Sequence, residues 1–485
     1  MIKKSINLNM GQNSLNAINF FTTYRCNSRC LNCFIWKSSK DAANKKELGL
    51  DKIDKLFSDP LFVQCPSIGL AGGEPTISPF FWTLLEMLPG NKRITITTNA
   101  LNSSRLVDFL SRSRNKEGYF IQVSLDGLEE VNDQIRGIKG AYRKTIALLQ
   151  KLQDLDIERL VSFTINRINY HQLKDCYELA TSYGAEFSSR LAHCGGAYFN
   201  KQNKDFYAFD KKQLEALDRS IDYIIFQELV KPDHSPARLI FMKKMTDYYR
   251  GIQKDVPCLA LKTGLVIDLY GDVFPNCPAI MKSMGNLQEE SLSDIWKGEK
   301  AVELRKEIDV LKCGGCWNDC QVVSNIAADE DFTAREYEKL KVAFFKGRSI
   351  PDSVDFGQDD SLLLLGGWHY LEGNSLFGFR WTEQEFSILL PPGTTSVEIF
   401  GMLPPFRKSD SPITMDLTTA RERIASLSLS GSEWRNFSIS LEKPLKELTP
   451  CEFKLNRYYC PREEGTGEDG RKLGLAVNKI SFVRR

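Results

Sequence analysis

Along residues 1 to 200, short apolar or β-branched runs alternate with amphipathic stretches. The runs Asn19–Tyr24, Ser67–Ala71, Arg93–Thr98, Phe120–Leu125, Leu160–Asn166 and Glu186–Ala192 are five to seven residues long, the length and character of buried parallel strands. Between them Asp51–Phe57, Phe80–Leu88, Ser103–Ser113, Tyr142–Leu155 and Leu173–Tyr183 carry apolar residues at helical spacing. Repeated strand–helix units predict a parallel α/β layer structure. Six such units predict a partial (β/α)6 TIM-like barrel, open rather than closed.

The pattern then changes. Residues 201 to 250 read as mostly helical, and residues 251 to about 325 are rich in cysteine. Asp329–Lys346 reads as a polar helical spacer. Beyond Pro351 the chain is rich in Gly, Pro, Ser and aromatic residues, with short alternating segments at Phe386–Leu390, Ser396–Phe400, Ile424–Leu429 and Phe437–Ile439. That pattern predicts an antiparallel all-β sandwich. The expected organisation is an N-terminal extension (1–17), a core barrel with a helical extension (18–250), a small cysteine-rich domain (251–328), a helical spacer (329–354) and a β-sandwich (355–485).

Composition narrows the class. A chain of 485 residues is too long for one ordinary core. With 42% hydrophobic and 26% charged residues it reads as globular, and a formal net charge of +2 gives no global attraction to nucleic acid. There is no signal-peptide pattern and no apolar run long enough to span a membrane, so the expectation is a cytoplasmic protein. Thirteen cysteines there are more often metal ligands than disulfides, and four histidines suit mixed zinc sites poorly.

Cys26, Cys30 and Cys33 follow the first strand at C-x3-C-x2-C spacing. A barrel places its chemistry at the C-terminal ends of its strands. Three close thiolates can hold a 4Fe–4S cube and leave one iron open for a small molecule. The C-x2-C pair by itself would suit a zinc knuckle better. The second strand, however, ends in Gly72-Gly73-Glu74-Pro75, the third in Thr97-Thr98-Asn99 and the fourth in Ser124-Leu125-Asp126-Gly127, with Arg136-Gly137 shortly after.

In these residues the chain resembles the radical S-adenosylmethionine (radical SAM) superfamily, over roughly residues 18 to 200. The resemblance implies that Cys26, Cys30 and Cys33 ligate the SAM-binding 4Fe–4S cluster. It implies cofactor-binding roles for Gly72, Gly73, Glu74, Asn99, Ser124 and Arg136: close backbone approach by the glycines, an amine acceptor in Glu74, a ribose contact at Ser124 and a carboxylate partner in Arg136. It further implies reductive cleavage of SAM to a 5′-deoxyadenosyl radical that abstracts a substrate hydrogen, with an electron from a low-potential donor such as flavodoxin or ferredoxin. One position departs from the family pattern. Asn32 stands where many members have an aromatic residue for adenine, although Phe34 and Trp36 are close by.

A second cysteine set follows. Cys258 and Cys277 flank a predicted β-hairpin, with Leu265–Leu269, a turn at Tyr270-Gly271-Asp272, then Val273–Phe274. After a helical segment at Leu292–Ile308 come Cys313, Cys316 and Cys320. This region looks like the Twitch or SPASM extensions of radical SAM enzymes, which carry auxiliary 4Fe–4S clusters. Five cysteines suit one such cluster, with Cys258, Cys277, Cys313 and Cys316 as ligands and Cys320 either spare or a replacement. A zinc ribbon is the alternative, although it normally has a tight cysteine pair at both ends.

Cys65, Cys176, Cys451 and Cys460 fit no spacing and read as small buried hydrophobes. Cys194, after His193 at the end of the sixth predicted strand, could return a hydrogen atom to a substrate radical or simply pack there. His171, His234 and His369 show no ligand partners in the sequence. Near the C-terminus, Gly366–Glu372, Phe379–Thr382 and Asp469–Val477 resemble an accessory β-sandwich of polysaccharide-pathway transferases. Trp368, Glu372, Arg380 and Trp381 there could form a sugar platform, or equally a sandwich core with a buried Arg–Glu pair.

These resemblances imply a radical SAM enzyme acting on a sugar or surface-glycan precursor by oxidation, epimerisation or rearrangement. Peptide or protein modification is the alternative, being the commonest task of SPASM-type relatives. The first strand begins near residue 18, which leaves little room ahead of it for a peptide-binding module. A non-catalytic glycan-binding protein with structural clusters is the third reading, and Glu74 in its motif argues against it.

Overall fold

The computed structural model describes residues 15–38, 45–192, 206–229, 231, 234–252, 256, 258–277, 280, 282–310, 317, 319–346, 350–356, 363–373, 377–406, 412–419, 422–467 and 469–484. The chain divides into two compact units, Met1–Tyr223 with Phe241–Ala328, and Ile224–Ile240 with Asp329–Arg485.

The first unit is built on one nine-stranded sheet in the order β6-β5-β4-β3-β2-β1-β7-β8-β9. Its first six strands are β1 (Ala17–Phe21), β2 (Ser67–Ala71), β3 (Arg93–Thr98), β4 (Tyr119–Ser124), β5 (Glu158–Ile165) and β6 (Glu186–Leu191). They pair in parallel with sequential neighbours, as strand–helix–strand units require. This is the expected six-unit partial barrel. β1 ends earlier than its pattern suggested, because Thr22 and the residues after it turn into the cysteine loop.

Register sorts the side chains into two faces. Ile18, Phe20, Ile68, Leu70, Ile94, Ile96, Ile121, Val123, Val161 and Phe163 share one face and are buried. That face meets the helix layer, where Phe187 packs edge-on against Tyr177 of the helix Leu173–Ser182. The opposite, inner face is mixed, with Phe21, Phe120 and Leu160 on it by register beside many polar side chains. In the C-terminal halves of β3, β4 and β5 it carries Thr97, Gln122, Ser124 and Thr164, and along β6 Ser188 and Arg190, all of them only partly buried. A strand rich in Thr and Ser on one face and Ile and Val on the other is therefore half core and half wall.

The hairpin foreseen between Cys258 and Cys277 is present as β7 (Gly264–Asp268) and β8 (Asp272–Pro275). It does not stand apart from the barrel. β7 lies parallel to β1, with Ala17 opposite Gly264 and Phe21 opposite Asp268. β8 and the short β9 (Gly285–Asn286) then extend the sheet in antiparallel fashion. The helical segment expected at Leu292–Ile308 is two helices, Leu292–Lys297 and Glu299–Val310, broken at Gly298, which is extended.

The second unit holds two antiparallel sheets. One has β11 (Trp368–Gly373), β12 (Gly378–Thr382), β19 (Ala476–Arg484), β14 (Thr394–Met402) and β17 (Arg435–Ser440) in that order, with β10 (Ser353–Asp355) also on β19. The other is β13 (Glu385–Leu390), β18 (Thr449–Leu455), β15 (Ile413–Thr418) and β16 (Arg423–Leu429). Phe386, Phe453 and Met415 of one sheet and Ile399, Val477 and Ile480 of the other belong to a single buried cluster, so the sheets share a core. The helix Glu330–Phe345 is more than a polar linker. Phe345 joins that cluster, and fully buried Lys341 donates from Nζ to Leu364 O at 2.6 Å.

Trp368 packs on the same core beside Phe356 and Phe386. The expected Arg380–Glu372 pair is not formed. Glu372 meets Arg471 at 2.7 Å, and Arg380 donates to His369 O. Glu372 and Arg380 do not pair because they stand on neighbouring β11 and β12 one step out of register: Leu371 is opposite Arg380 and Glu372 opposite Phe379.

Candidate active site

The cysteine loop leaves the C-terminal end of β1 and is clasped from two sides. On one side it runs against the turn after β2. Thr22 N donates to Ala71 O, Gly73 N to Thr23 O at 2.7 Å and Glu74 N to Arg25 O at 2.9 Å. A Cβ on Gly73 would sit 2.0 Å from Arg25 O, and one on Gly72 2.5 Å from Thr23 O. The close backbone approach these glycines permit is therefore to the cysteine loop itself.

On the other side the loop caps the helix Glu129–Arg136. The carbonyl of Ile135 accepts from Leu31 N, and that of Arg136 accepts from Arg29 N and from Ser28 Oγ at 2.8 Å. These are among the orphan carbonyls every helix leaves at its C-terminus. Gly137 makes the arrangement possible. It is left-handed at φ 67°, and a Cβ there would lie 2.7 Å from Arg29 O.

Glu74 is 1% exposed and ties three segments together. Its Oε1 accepts from Thr76 Oγ1 and Thr98 Oγ1, both at 2.7 Å, and its Oε2 from Asn99 N at 2.7 Å. Burial raises its carboxyl above the usual range, and these donors oppose the rise. Asn99, held by that contact, turns its amide to the loop. Its Nδ2 donates to Asn27 Oδ1 at 2.8 Å and reaches Cys26 Sγ at 3.7 Å.

Arg136 was expected to meet a carboxylate, and the one it meets here belongs to Asp126, with Nε 3.0 Å from Oδ2. Its Nη1 stands 3.7 Å from Cys30 Sγ. Asp126 itself is 1% exposed and receives Thr164 N on Oδ1 at 2.8 Å. Asn169, after β5, donates to its backbone carbonyl. Asp126 and Asn169 were not singled out in the sequence as site residues; their signal was their place at the ends of β4 and β5, the positions a barrel reserves for function. Ser124 ends β4 on the inner face.

The donor set suits an iron–sulfur cluster. The cysteines form no disulfide, and Cys30 is buried while Cys26 and Cys33 are half-buried. Burial pushes the Cys26 and Cys33 thiols up to about 11, which favours their neutral form without a ligand, and metal ligation would offset that cost. A hydrogen-bond donor already faces sulfur, with Ser28 N 3.4 Å from Cys26 Sγ; Ser28 Oγ, whose proton goes to Arg136 O, lies 3.3 Å from Cys30 Sγ. Beside the third cysteine, Trp36 Nε1 donates to Cys33 O, and Phe34 and Trp36 meet edge to face under the cations Lys37 and Arg29.

The second cysteine set is described in part. Cys258 and Cys277 flank the hairpin and are half-buried. Their neighbourhoods are stitched together: Leu261 N donates to Asn276 Oδ1, and Leu259 N to Asn325 Oδ1 on the helix Asp319–Ala328. Cys320 lies in the first turn of that helix. Cys313, Cys316 and Cys194, and the side chain of Cys320, lie outside the described residues. Asp319 reaches the inner face of the barrel, accepting from Ser188 Oγ at 2.7 Å and pairing with Arg190 at 3.4 Å.

Two family models match the regions that carry the two cysteine sets. The model of the Radical SAM superfamily matches residues 20–180, and that of the SPASM iron–sulfur cluster-binding domain matches residues 258–320. Pre-heme d1 synthase of Dinoroseobacter shibae is 22% identical over 321 residues, 61% of this chain and 77% of that protein. Mycofactocin maturase MftC of Mycobacterium tuberculosis is 27% identical over 339 residues, 68% of this chain and 82% of that protein. The solved structure of native anSMEcpe with bound AdoMet and Cp18Cys peptide aligns with a TM-score of 0.47 at 16% identity, over 68% of this chain and 96% of that one. The chain thus carries a radical SAM domain and a SPASM-type iron–sulfur domain, and it is an enzyme of the radical SAM superfamily with SAM and iron–sulfur clusters as cofactors.

Proposed function

We propose that the enzyme modifies a peptide, which it binds along the hydroxyl- and amide-bearing stretch of the inner face of the barrel. The observation that carries this reading is the character of that wall. Thr97, Gln122, Ser124, Thr164 and Ser188 present hydroxyls and amides at intervals along neighbouring strands, which suits the regular donors and acceptors of a peptide backbone. A tetrapyrrole, the product class in the name of pre-heme d1 synthase, offers a broad apolar face and carboxylates that call for several free cations. Arg190 is already engaged by Asp319 and by Ser162 Oγ. A pyranose favours stacked aromatic faces, and the residues named on this stretch of the wall carry hydroxyls and an amide. The name of the MftC relative, a maturase, and the SPASM domain also favour the peptide reading over the glycan precursor.

Cys26, Cys30 and Cys33 would hold the cluster that binds SAM, and together these groups supply hydrogen-atom abstraction when bound. Gly72, Gly73, Glu74, Asn99 and Arg136 would fix the cysteine loop at the barrel mouth, and Ser124 would meet the ribose. Cys258, Cys277, Cys313 and Cys316 would supply the auxiliary ligands, with Cys320 spare or a replacement for one of them. A low-potential donor such as flavodoxin or ferredoxin would deliver the electron.

The test is transfer of deuterium. Anaerobically reconstituted enzyme with dithionite and SAM is given a perdeuterated peptide digest or, separately, perdeuterated nucleotide sugars. Deuterium in 5′-deoxyadenosine from the digest supports the proposal. Deuterium from the sugars alone rejects it.

A further inference from the structure

Two of the cysteine sulfurs at the barrel mouth are met by donors from three different elements. Ser28 and Asn99 approach Cys26 Sγ, at 3.4 and 3.7 Å. Arg136 Nη1 approaches Cys30 Sγ at 3.7 Å, beside Ser28 Oγ at 3.3 Å, whose own proton is given to Arg136 O. Arg136 differs from the others because it brings a full positive charge. Its side chain is 14% exposed and that of Asp126 is 2% exposed, so water screens this charge poorly.

The guanidinium is also paired. Asp126 Oδ2 lies 3.0 Å from its Nε, as an ion pair without hydrogen-bond geometry. Asp126 is fixed in turn by Thr164 N on its carboxylate, by Asn132 Oδ1 on its backbone N–H and by Asn169 Nδ2 on its carbonyl. The backbone carbonyl of Arg136 is bound to Arg29 N and Ser28 Oγ of the same cysteine loop. Both ends of the residue are thus tied to the segment that bears Cys30.

We infer that Arg136, oriented by Asp126, sets the reduction potential of the cluster held by Cys26, Cys30 and Cys33. The inference rests on the reading of those cysteines as cluster ligands. Reduction adds one negative charge to the cluster. A buried cation beside a ligand sulfur stabilises that charge, and so do N–H groups directed at sulfur. Arg136 therefore raises the potential, and Asp126, paired with the Nε edge of the guanidinium while Nη1 faces Cys30, offsets part of the rise. The pair would place the cluster within reach of a biological donor without making the reduced form too weak a reductant.

The experiment uses the full chain, reconstituted anaerobically. The signal followed is the reduced-cluster EPR signal that changes when SAM is added, and its midpoint potential is measured without SAM. Arg136→Met should move the midpoint to more negative values, Arg136→Lys should restore part of the shift, and Asp126→Asn should move it the opposite way, to more positive values. Iron and sulfide content should stay at the unsubstituted level. Equal midpoints in all variants, or shifts of one sign in Arg136→Met and Asp126→Asn, would overturn the inference. If Arg136→Met does not retain its cluster, the Asp126→Asn midpoint decides: no positive shift means the inference is wrong. Absence of any SAM-responsive signal in the unsubstituted enzyme would be a different failure, that of the cluster reading itself.

Discussion

Tyr24 donates from its hydroxyl to Asp268 Oδ2 at 2.9 Å, across 244 positions of sequence. Tyr24 stands two residues before Cys26, and Asp268 ends β7, the first strand of the hairpin flanked by Cys258 and Cys277. Tyr24 also stacks on Tyr270 in the hairpin turn, with ring centroids 6.1 Å apart. The contact joins the cysteine loop of the barrel to the hairpin of the auxiliary domain. Asp268 is 2% exposed, so the bond is buried at the acceptor. Tyr24→Phe should lower stability by about 1–2 kcal/mol, because a buried carboxylate oxygen loses its donor. Thermal unfolding of the metal-free protein measures this; an unchanged midpoint would show that the bond contributes nothing.

The fit of the turn after β2 to the cysteine loop gives a second prediction. Gly73→Ala puts a methyl group 2.0 Å from Arg25 O, which forces the loop away from its seat. Gly90→Ala is the control, since nothing lies within 4 Å of a Cβ there. Gly73→Ala should lose the SAM-responsive cluster signal and part of the iron, whereas Gly90→Ala should keep both. Iron analysis with EPR distinguishes them.

Acid should destabilise the second unit through His234. Its Nδ1–H donates to Lys231 O at 2.6 Å, so its Nε2 accepts from Tyr337 O–H at 2.5 Å. Burial lowers its pKa below the ordinary imidazole value, Lys341 and Arg380 push the same way, and the Lys231 carbonyl and Glu228 oppose them. A depressed folded-state pKa means that the unfolded chain binds the proton more readily. The contribution is complete above the ordinary value of about 6.5 and is lost as pH falls through it towards the folded value. Thermal melts should show a stability decrease from pH 7.5 to pH 5.5 that His234→Gln reduces. An identical pH dependence in the variant would contradict the assignment.

The cysteines without a motif should be inert in the folded protein. Cys65 and Cys451 are buried, and burial pushes their thiols up to about 11 and about 12; Cys176 is raised by the same cause. Almost no thiolate is present at pH 8. Alkylation at that pH followed by mass spectrometry should leave these three unmodified until denaturant is added. Rapid labelling of the native chain would contradict their placement.

The barrel was legible because its strands carry two signals at once. Apolar residues at alternate positions fixed the helix-facing side, and the intervening Thr and Ser did not disguise runs such as Arg93–Thr98, which the structure reproduces. The hairpin between Cys258 and Cys277 was legible from its turn residues, Gly271 being left-handed at φ 87°. That β7 would join β1 was not, since a partner strand across more than 240 positions leaves no local trace. Strands β10, β11, β12, β15, β18 and β19 were not among the alternating segments named, although Thr449–Leu455 alternates buried and exposed positions over its last five residues. At the site, the motif residues drew attention to the correct turns. What the motifs concealed is that Gly72, Gly73, Glu74 and Arg136 spend their observed contacts on the cysteine loop and its neighbours.

The central claim is that Cys26, Cys30 and Cys33 hold a cluster whose open iron takes SAM. Its most direct measurement is EPR of the dithionite-reduced, anaerobically reconstituted full chain with and without SAM. The account predicts a cluster signal that SAM alters, and its loss in Cys26→Ala, Cys30→Ala and Cys33→Ala while an auxiliary signal persists. A spectrum indifferent to SAM, or a SAM-responsive signal that survives all three substitutions, would contradict it.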